Sequence, residues 1–217
     1  MPTSTDPHDT RERILDATER LFAEKGQART SLRQITAAAE VNLAAVHYHF
    51  GSKQGLVEAV YDRHLGPMNR DRLRLLDLWE QSHPDGDGAL EQLVEAFVGP
   101  ILRLKQEDPV AARSVRCLIG RIYSQGGEEM LPVLRHFDEV RERFPAALKR
   151  SLPHLDDVEV MWRIHFLLGA MFHTAGTGHL LSQLTGGLCD PADSETALRH
   201  LVDFTCAGLR AAPSRKE

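Results

Sequence analysis

The sequence predicts an all-α protein, and three observations lead there. Apolar residues recur at three- and four-residue spacing along most of the chain, as amphipathic helices require. No alternating run of strand type survives anywhere, and no internal repeat is evident. Ser, Thr, Asn or Asp stands just ahead of several periodic stretches, and Gly or Pro punctuates them.

The elements follow in order. Residues 1–10 are polar and proline-containing, the composition of a disordered tail. From Arg11, Ile14, Leu15, Thr18, Leu21 and Phe22 form one stripe, with Gly26 as its terminator. Thr30 or Ser31 caps a second short helix, with Leu32, Ile35 and Ala39 facing inward and Ala37 to Ala39 allowing close approach. Glu40 then occupies a turn where glycine would cost less, which predicts left-handed strain. A third short helix follows Asn42, anchored by Val46 and Phe50. Ser52 caps a long fourth helix through Leu56, Val57, Val60, Tyr61 and Leu65, expected to break at Gly66-Pro67 and resume through Leu73, Leu76 and Trp79. Residues 82–88 read as a loop.

Only helices are expected beyond that loop. One carries Leu90, Leu93, Val94, Phe97, Ile101 and Leu104, bent at Gly99-Pro100, and a second runs from Val110 to Tyr123, ending at Gly126-Gly127. A third spans 130–152 with Pro132 and Pro145 as bends or restarts. Asp156 caps a long apolar helix from Val158 to about Leu184, and Ser194 caps a last one through Leu198, Leu201, Val202, Phe204 and Leu209. The organisation expected is a tail over 1–10, a DNA-binding domain over 11–55, and a helical ligand-binding and dimerisation domain over 56–212, joined by the long fourth helix.

The 217 residues suffice for one large domain or two small ones, and 42% hydrophobic with 26% charged residues is ordinary for a soluble protein. The first nine residues hold no apolar signal core, and the most apolar stretch, 160–184, contains Arg163, His165, His173, His179 and Gln183. Both features argue for a cytoplasmic protein without a membrane span. Cys117, Cys189 and Cys206 lack metal-ligand spacing and fit a reducing compartment. The net charge is −5, and residues 1–64 hold eight Lys/Arg against nine Asp/Glu. Affinity for a polyanion would therefore depend on a few placed cations, helix N-termini and duplication of the site.

Two short helices joined by an abrupt turn, Ser31 to Ala39 and Asn42 to Phe50, have the form of a helix-turn-helix, whose second member enters the major groove. Arg13-Ile14-Leu15-Asp16-Ala17, Leu21-Phe22-Ala23-Glu24-Lys25-Gly26, Thr30-Ser31-Leu32-Arg33-Gln34-Ile35 and Val46-His47-Tyr48-His49-Phe50-Gly51-Ser52-Lys53 stand in order over about fifty residues. This set resembles the N-terminal domain of the tetracycline-repressor-like (TetR) family of bacterial transcription regulators. Glu40, in place of the turn glycine, and His47, in place of the usual aromatic before Tyr48, depart from the pattern. Asn42-Leu43-Ala44-Ala45 and, more loosely, Trp162 to Gly169 are similar to the fatty-acid-responsive branch.

The expected DNA contacts are Thr30, Ser31, Arg33, Asn42, Leu43, Ala44, Ala45, His47, Tyr48 and Lys53. Asn42 lies at a helix N-terminus; Leu43, Ala44 and Ala45 suit thymine methyls; His47 could donate to guanine or reach phosphate; Tyr48 and Lys53 suit phosphate. His49 reads as packing. Binding of this size requires a homodimer on a palindromic operator, with the last two long helices as the interface; burial within one subunit competes as the explanation of their apolarity.

The resemblance implies a repressor released from double-stranded operator DNA by a small-molecule effector, a fatty acid or acyl derivative on the looser likeness. Phe97, Cys117, Gly120, Tyr123, Phe137, Trp162, His165, Phe166 and His173 are the expected pocket, with aromatic core packing as the alternative reading. No catalytic constellation, cofactor motif or metal-ligand set is found, so neither an enzyme nor a metalloprotein is expected. Control through a protein partner or a metal or redox signal, with the C-terminal region mainly a dimeriser, is the competing reading.

Overall fold

Helix α1, Pro7–Lys25, opens the computed structural model, which describes residues 7–86, 89–109, 112, 115, 116, 135–190 and 193–213. It begins inside the stretch whose composition suggested a tail, because Asp9 sits favourably in its first turn. Then come α2 (Leu32–Ala39), α3 (Leu43–Phe50), α4 (Lys53–Ser82) and α5 (Leu90–Glu107). A 3-10 turn, Arg135–Phe137, leads into α6 (Asp138–Ser151), followed by α7 (Asp157–Leu184) and α8 (Ser194–Arg210). No strand occurs among the described residues.

The caps explain most boundaries. Ser31 caps α2 in a capping box with Gln34, Asn42 caps α3 through the Ala45 N–H, and Ser52 caps α4 through the Gly55 N–H. Asp156 caps α7 as expected. The last helix is capped by Asp193 instead of Ser194: the Asp193 carboxylate accepts from the Thr196 N–H at 2.9 Å, while Ser194 turns inward.

The expected break at Gly66-Pro67 is absent. Pro67, Pro100 and Pro145 lie inside continuous helices. Each removes one main-chain hydrogen bond, but buried residues on both sides hold each helix in place: Leu65 and Met68, Val98 and Ile101, Phe144 and Ala147. Most of the expected 110–123 helix and the start of the 130–152 element lie outside the described residues.

Two cores meet on α4. The smaller joins Ile14, Leu15, Ala17, Leu21, Ile35, Ala39 and Val46 to Leu56 and Val60 of α4. The larger takes Val57, Tyr61, Leu65, Met68, Leu76 and Trp79 from the same helix and packs them against α5 to α8. Phe22 borders both cores. Arg63 reaches back to Asp16 and Glu19, and the buried His64 ring lies 2.9 Å from Glu19, so α1 and α4 are tied by polar contacts as well.

Candidate nucleic-acid interface and effector cavity

Helix α3 is held from behind and open in front. Val46 is fully buried on the inner side, and the Arg11 guanidinium lies over the Phe50 ring. Leu43, Ala44, His47 and Tyr48 share the opposite face, as their spacing demands. Leu43 is 49% exposed and Tyr48 82% exposed, so the tyrosine contributes almost nothing to the core. Asn42 Oδ1 is committed to the cap, which leaves its Nδ2 and the first free N–H groups of α3 at the outer end.

The turn before α3 carries the expected strain. Glu40 has φ 55° and is the one non-glycine residue with positive φ among those described. Its N–H bonds Ala37 O and the Val41 N–H bonds Thr36 O, the paired pattern of a Schellman C-cap with glutamate in the glycine's place. Arg13 supports it from α1, donating to the Ala39 carbonyl at 2.6 Å and to the Glu40 carbonyl at 3.3 Å. At the other end Gly51 has φ 72°, and a Cβ on Gly55 would overlap the Phe50 carbonyl oxygen. A glycine at 55 is therefore required for α4 to start against the end of α3.

The expected contacts fare differently. Ser31 and Arg33 are exposed on α2, and Lys53 is half-buried in the first turn of α4. Thr30 is withdrawn as a contact. It is 1% exposed, and its hydroxyl donates to the Gly26 carbonyl at 2.9 Å, which fastens the α1–α2 connection. His47 Nδ1 lies 2.8 Å from the Gly51 carbonyl, so that nitrogen carries the hydrogen. The neutral ring then offers Nε2 as an acceptor, and the donor role toward guanine requires the imidazolium. Ala45 and His49 are half-buried.

In the C-terminal region, a cavity of about 650 Å³ lies among α5, α7 and α8, lined by Ile101, Ala170, His173, Leu181, His200 and Phe204 with others. His173 is the one expected pocket residue among the described ones that lines it. Phe97 packs edge-on against Phe144 at 4.9 Å, and Phe137 borders the core from the 3-10 turn. Trp162, His165 and Phe166 do not face inward: they cluster on the outer side of α7, with Trp162 and Phe166 more than half exposed. The inner stripe of that helix is Val160, Leu167 and Met171, and no residue can serve both faces. Cys117, Gly120 and Tyr123 lie outside the described residues.

Sequence reasoning passed over Arg72. It occupies the inner stripe of α4 between Met68 and Leu76 and is 2% exposed. Nε donates to the Phe97 carbonyl at 2.8 Å, Nη1 to Asn69 Oδ1 at 3.1 Å, and Nη2 approaches Met171 Sδ at 3.7 Å. Burial pushes the guanidinium down to about 10, so it stays charged at neutral pH. The signal was a lone cation at i+4 from Met68 and i−4 from Leu76 in an otherwise apolar stripe.

Among the described residues no group of His, Cys, Asp and Glu could hold a metal, and no helix is long and apolar enough to cross a membrane. Burial pushes the Cys206 thiol up to about 11, which keeps it protonated and unreactive.

A packed first helix, a capped second helix and an exposed third across a left-handed turn define a helix-turn-helix DNA-binding transcription regulator. Family models agree over both regions: the bacterial regulatory proteins of the tetR family match residues 14–60, and the tetracyclin repressor-like C-terminal domain matches residues 95–208. The chain belongs to the tetracycline-repressor-like family of transcription regulators. It is 48% identical over 66 residues to a helix-turn-helix-type transcriptional repressor of Mycobacterium tuberculosis, covering 30% of this chain and 34% of that protein. It is 40% identical over 60 residues to the transcriptional regulator TtgR of Pseudomonas putida, covering 28% and 29%. The chain thus spans about a third of the length of the curated relatives it matches. The fold is shared with SmeT, the repressor of the Stenotrophomonas maltophilia multidrug efflux pump SmeDEF (TM-score 0.62, 22% identity, 98% of each chain). It is also shared with NalD, the secondary repressor of the MexAB-OprM multidrug efflux pump of Pseudomonas aeruginosa (TM-score 0.62, 23% identity, 93% and 95% of the chains).

Proposed function

We propose that the protein is a homodimeric repressor that reads a palindromic operator with the outer face of α3 and leaves it when a small, lipid-like effector occupies the C-terminal region. The observation that carries the reading is the α3 face: a small or apolar patch, Leu43 and Ala44, beside the almost fully exposed Tyr48, on a helix whose N-terminus points outward. Such a face is costly in water and fits a major groove, where small side chains meet thymine methyls and a phenol meets phosphate. Asn42, Ala45 and His47 complete the reading surface, with Ser31, Arg33 and Lys53 on the flanking phosphates.

Dimerisation is supported by the outer face of α7, where Trp162, Phe166 and Leu184 are all more than half exposed. One chain leaves this apolar surface in water, and a two-fold related copy would remove it. Because the N-terminal region carries no excess of positive charge, two weak readers joined together fit its electrostatics better than one strong reader.

The test is binding to an operator selected from random duplexes, measured against salt. The Lys53→Ala variant is expected to bind every duplex more weakly and to flatten the salt slope by about one unit per subunit. An unchanged slope removes Lys53 from the interface, and failure to select any sequence removes the reading as a whole.

A further inference from the structure

His47 is tied to Gly51 twice, and the ties decide which nitrogen of its ring stays free. The Gly51 N–H donates to the His47 carbonyl at 2.9 Å, and the imidazole Nδ1 lies 2.8 Å from the Gly51 carbonyl oxygen. A carbonyl oxygen only accepts, so Nδ1 carries the hydrogen and Nε2 of the neutral ring carries a lone pair. Gly51 holds that carbonyl in place because it centres a three-residue turn. Its φ is 72° and its ψ −50°, and the Ser52 N–H donates to the Phe50 carbonyl at 2.8 Å. Glycine tolerates this positive φ. Ser52 then caps α4 through the Gly55 N–H at 3.0 Å, which fastens the far side of the turn.

The ring is exposed and stands on the outer face of α3, four residues after Leu43 and three after Ala44. The polar groups around it on the reading surface are mostly donors: the first N–H groups of α3, the Asn42 Nδ2 group and the Lys53 ammonium. Nε2 is the acceptor among them. Phosphate oxygens, guanine O6 and N7, and thymine O4 are acceptors too, and each would set a lone pair against a lone pair. Adenine N6 and cytosine N4 are the donors that the major groove offers. Because the bond to Gly51 holds the ring before DNA arrives, little rotamer freedom remains to be lost on binding.

We propose that His47 is a base-selecting residue whose Nε2 accepts a hydrogen bond from an exocyclic amine, adenine N6 or cytosine N4, and rejects guanine at the point it faces. This rests on the proposed reading of an operator by α3 and names the base chemistry that one side chain selects. It reverses the donor role that the residue type alone suggests. Each base pair presents one such amine, on one strand or the other. The selection therefore acts on which strand carries the amine, and it separates A·T from T·A and C·G from G·C at a single position.

The experiment uses the full chain at pH 8 and a duplex that it selects from random sequences. The bases of one half-site are replaced in turn by analogues without the amine, purine for adenine and 2-pyrimidinone for cytosine, and separately by 7-deaza purines. Each duplex is measured with the wild-type, His47→Ala and His47→Gln chains. One amine deletion is expected to weaken wild-type binding about fivefold and to leave His47→Ala unaffected. His47→Gln, whose amide oxygen also accepts, keeps the sensitivity, and the analogue that responds tells adenine from cytosine. His47→Lys, a donor only, is expected to move the selected base at that position to guanine. Coupling of His47 to a 7-deaza substitution instead of an amine deletion overturns the proposal. So does a His47→Ala chain that responds to every analogue as the wild type does and differs only in a flatter salt slope, the mark of a phosphate contact. Imidazole nitrogen resonances give a check without DNA: the hydrogen is expected on Nδ1 of His47, and a hydrogen on Nε2 overturns the proposal. Failure to select any duplex overturns the operator reading and this assignment with it, whereas an uncoupled His47 on a selected duplex overturns this assignment alone.

Discussion

The reading head and the C-terminal region follow opposite rules. In the head, apolar side chains are inside, all three N-caps from Ser31 to Ser52 are made by side chains, and the one strained turn is braced by Arg13. In the C-terminal region, large aromatics stand outside on α7, and a charged side chain without a carboxylate stands inside on α4. The first pattern is that of a unit complete in itself. The second is that of a unit with apolar surface left uncovered, which the proposed second copy would cover.

The largest way to break this contrast is to place a charge on the outer aromatic face. Phe166→Asp is expected to leave the fold intact, because Phe166 is 63% exposed, and to abolish dimers in sedimentation. Operator affinity should then fall on the order of a thousandfold through lost avidity. An unchanged mass would mean that the face is covered by something else. A smaller effect, confined to the head, should follow Gly55→Ala. The new methyl meets the Phe50 carbonyl, and urea unfolding should report a loss of about 3 kcal/mol. The smallest concerns the turn. Arg13→Ala removes two charged hydrogen bonds to the Ala39 and Glu40 carbonyls and should cost about 1.5 kcal/mol. Glu40→Gly should recover about 1 kcal/mol of that by relieving the left-handed strain. If Glu40→Gly instead destabilises, Glu40 contributes more through its contact with Arg13 than it costs in backbone strain.

The same contrast decides what the sequence disclosed. Local physics writes itself into local sequence, so the caps at Ser31, Asn42, Ser52 and Asp156 and the strain at Glu40 were all legible. Arg13 was not, since its support of the turn spans 26 residues. Pro67 misled, because its penalty is local while the burial that overrides it is tertiary. Trp162, His165 and Phe166 misled for a different reason: hydrophobicity says that a side chain prefers to leave water, not which surface will cover it. Thr30 read as a contact or cap from its type, and only the approach of the Gly26 carbonyl shows it buried and bonded. Arg72 stood in plain view as a charge in an apolar stripe, and only the structure shows it bonded to the Phe97 carbonyl.

The most direct test of the claim that a self-sufficient head depends on a region completed by a second copy is the mass of the wild-type chain on its selected operator, measured by sedimentation. Two 24.3 kDa chains per palindrome are expected, with no stable complex of one chain on one half-site at the same concentration. A single chain bound to a half-site as tightly as the full site binds would contradict it.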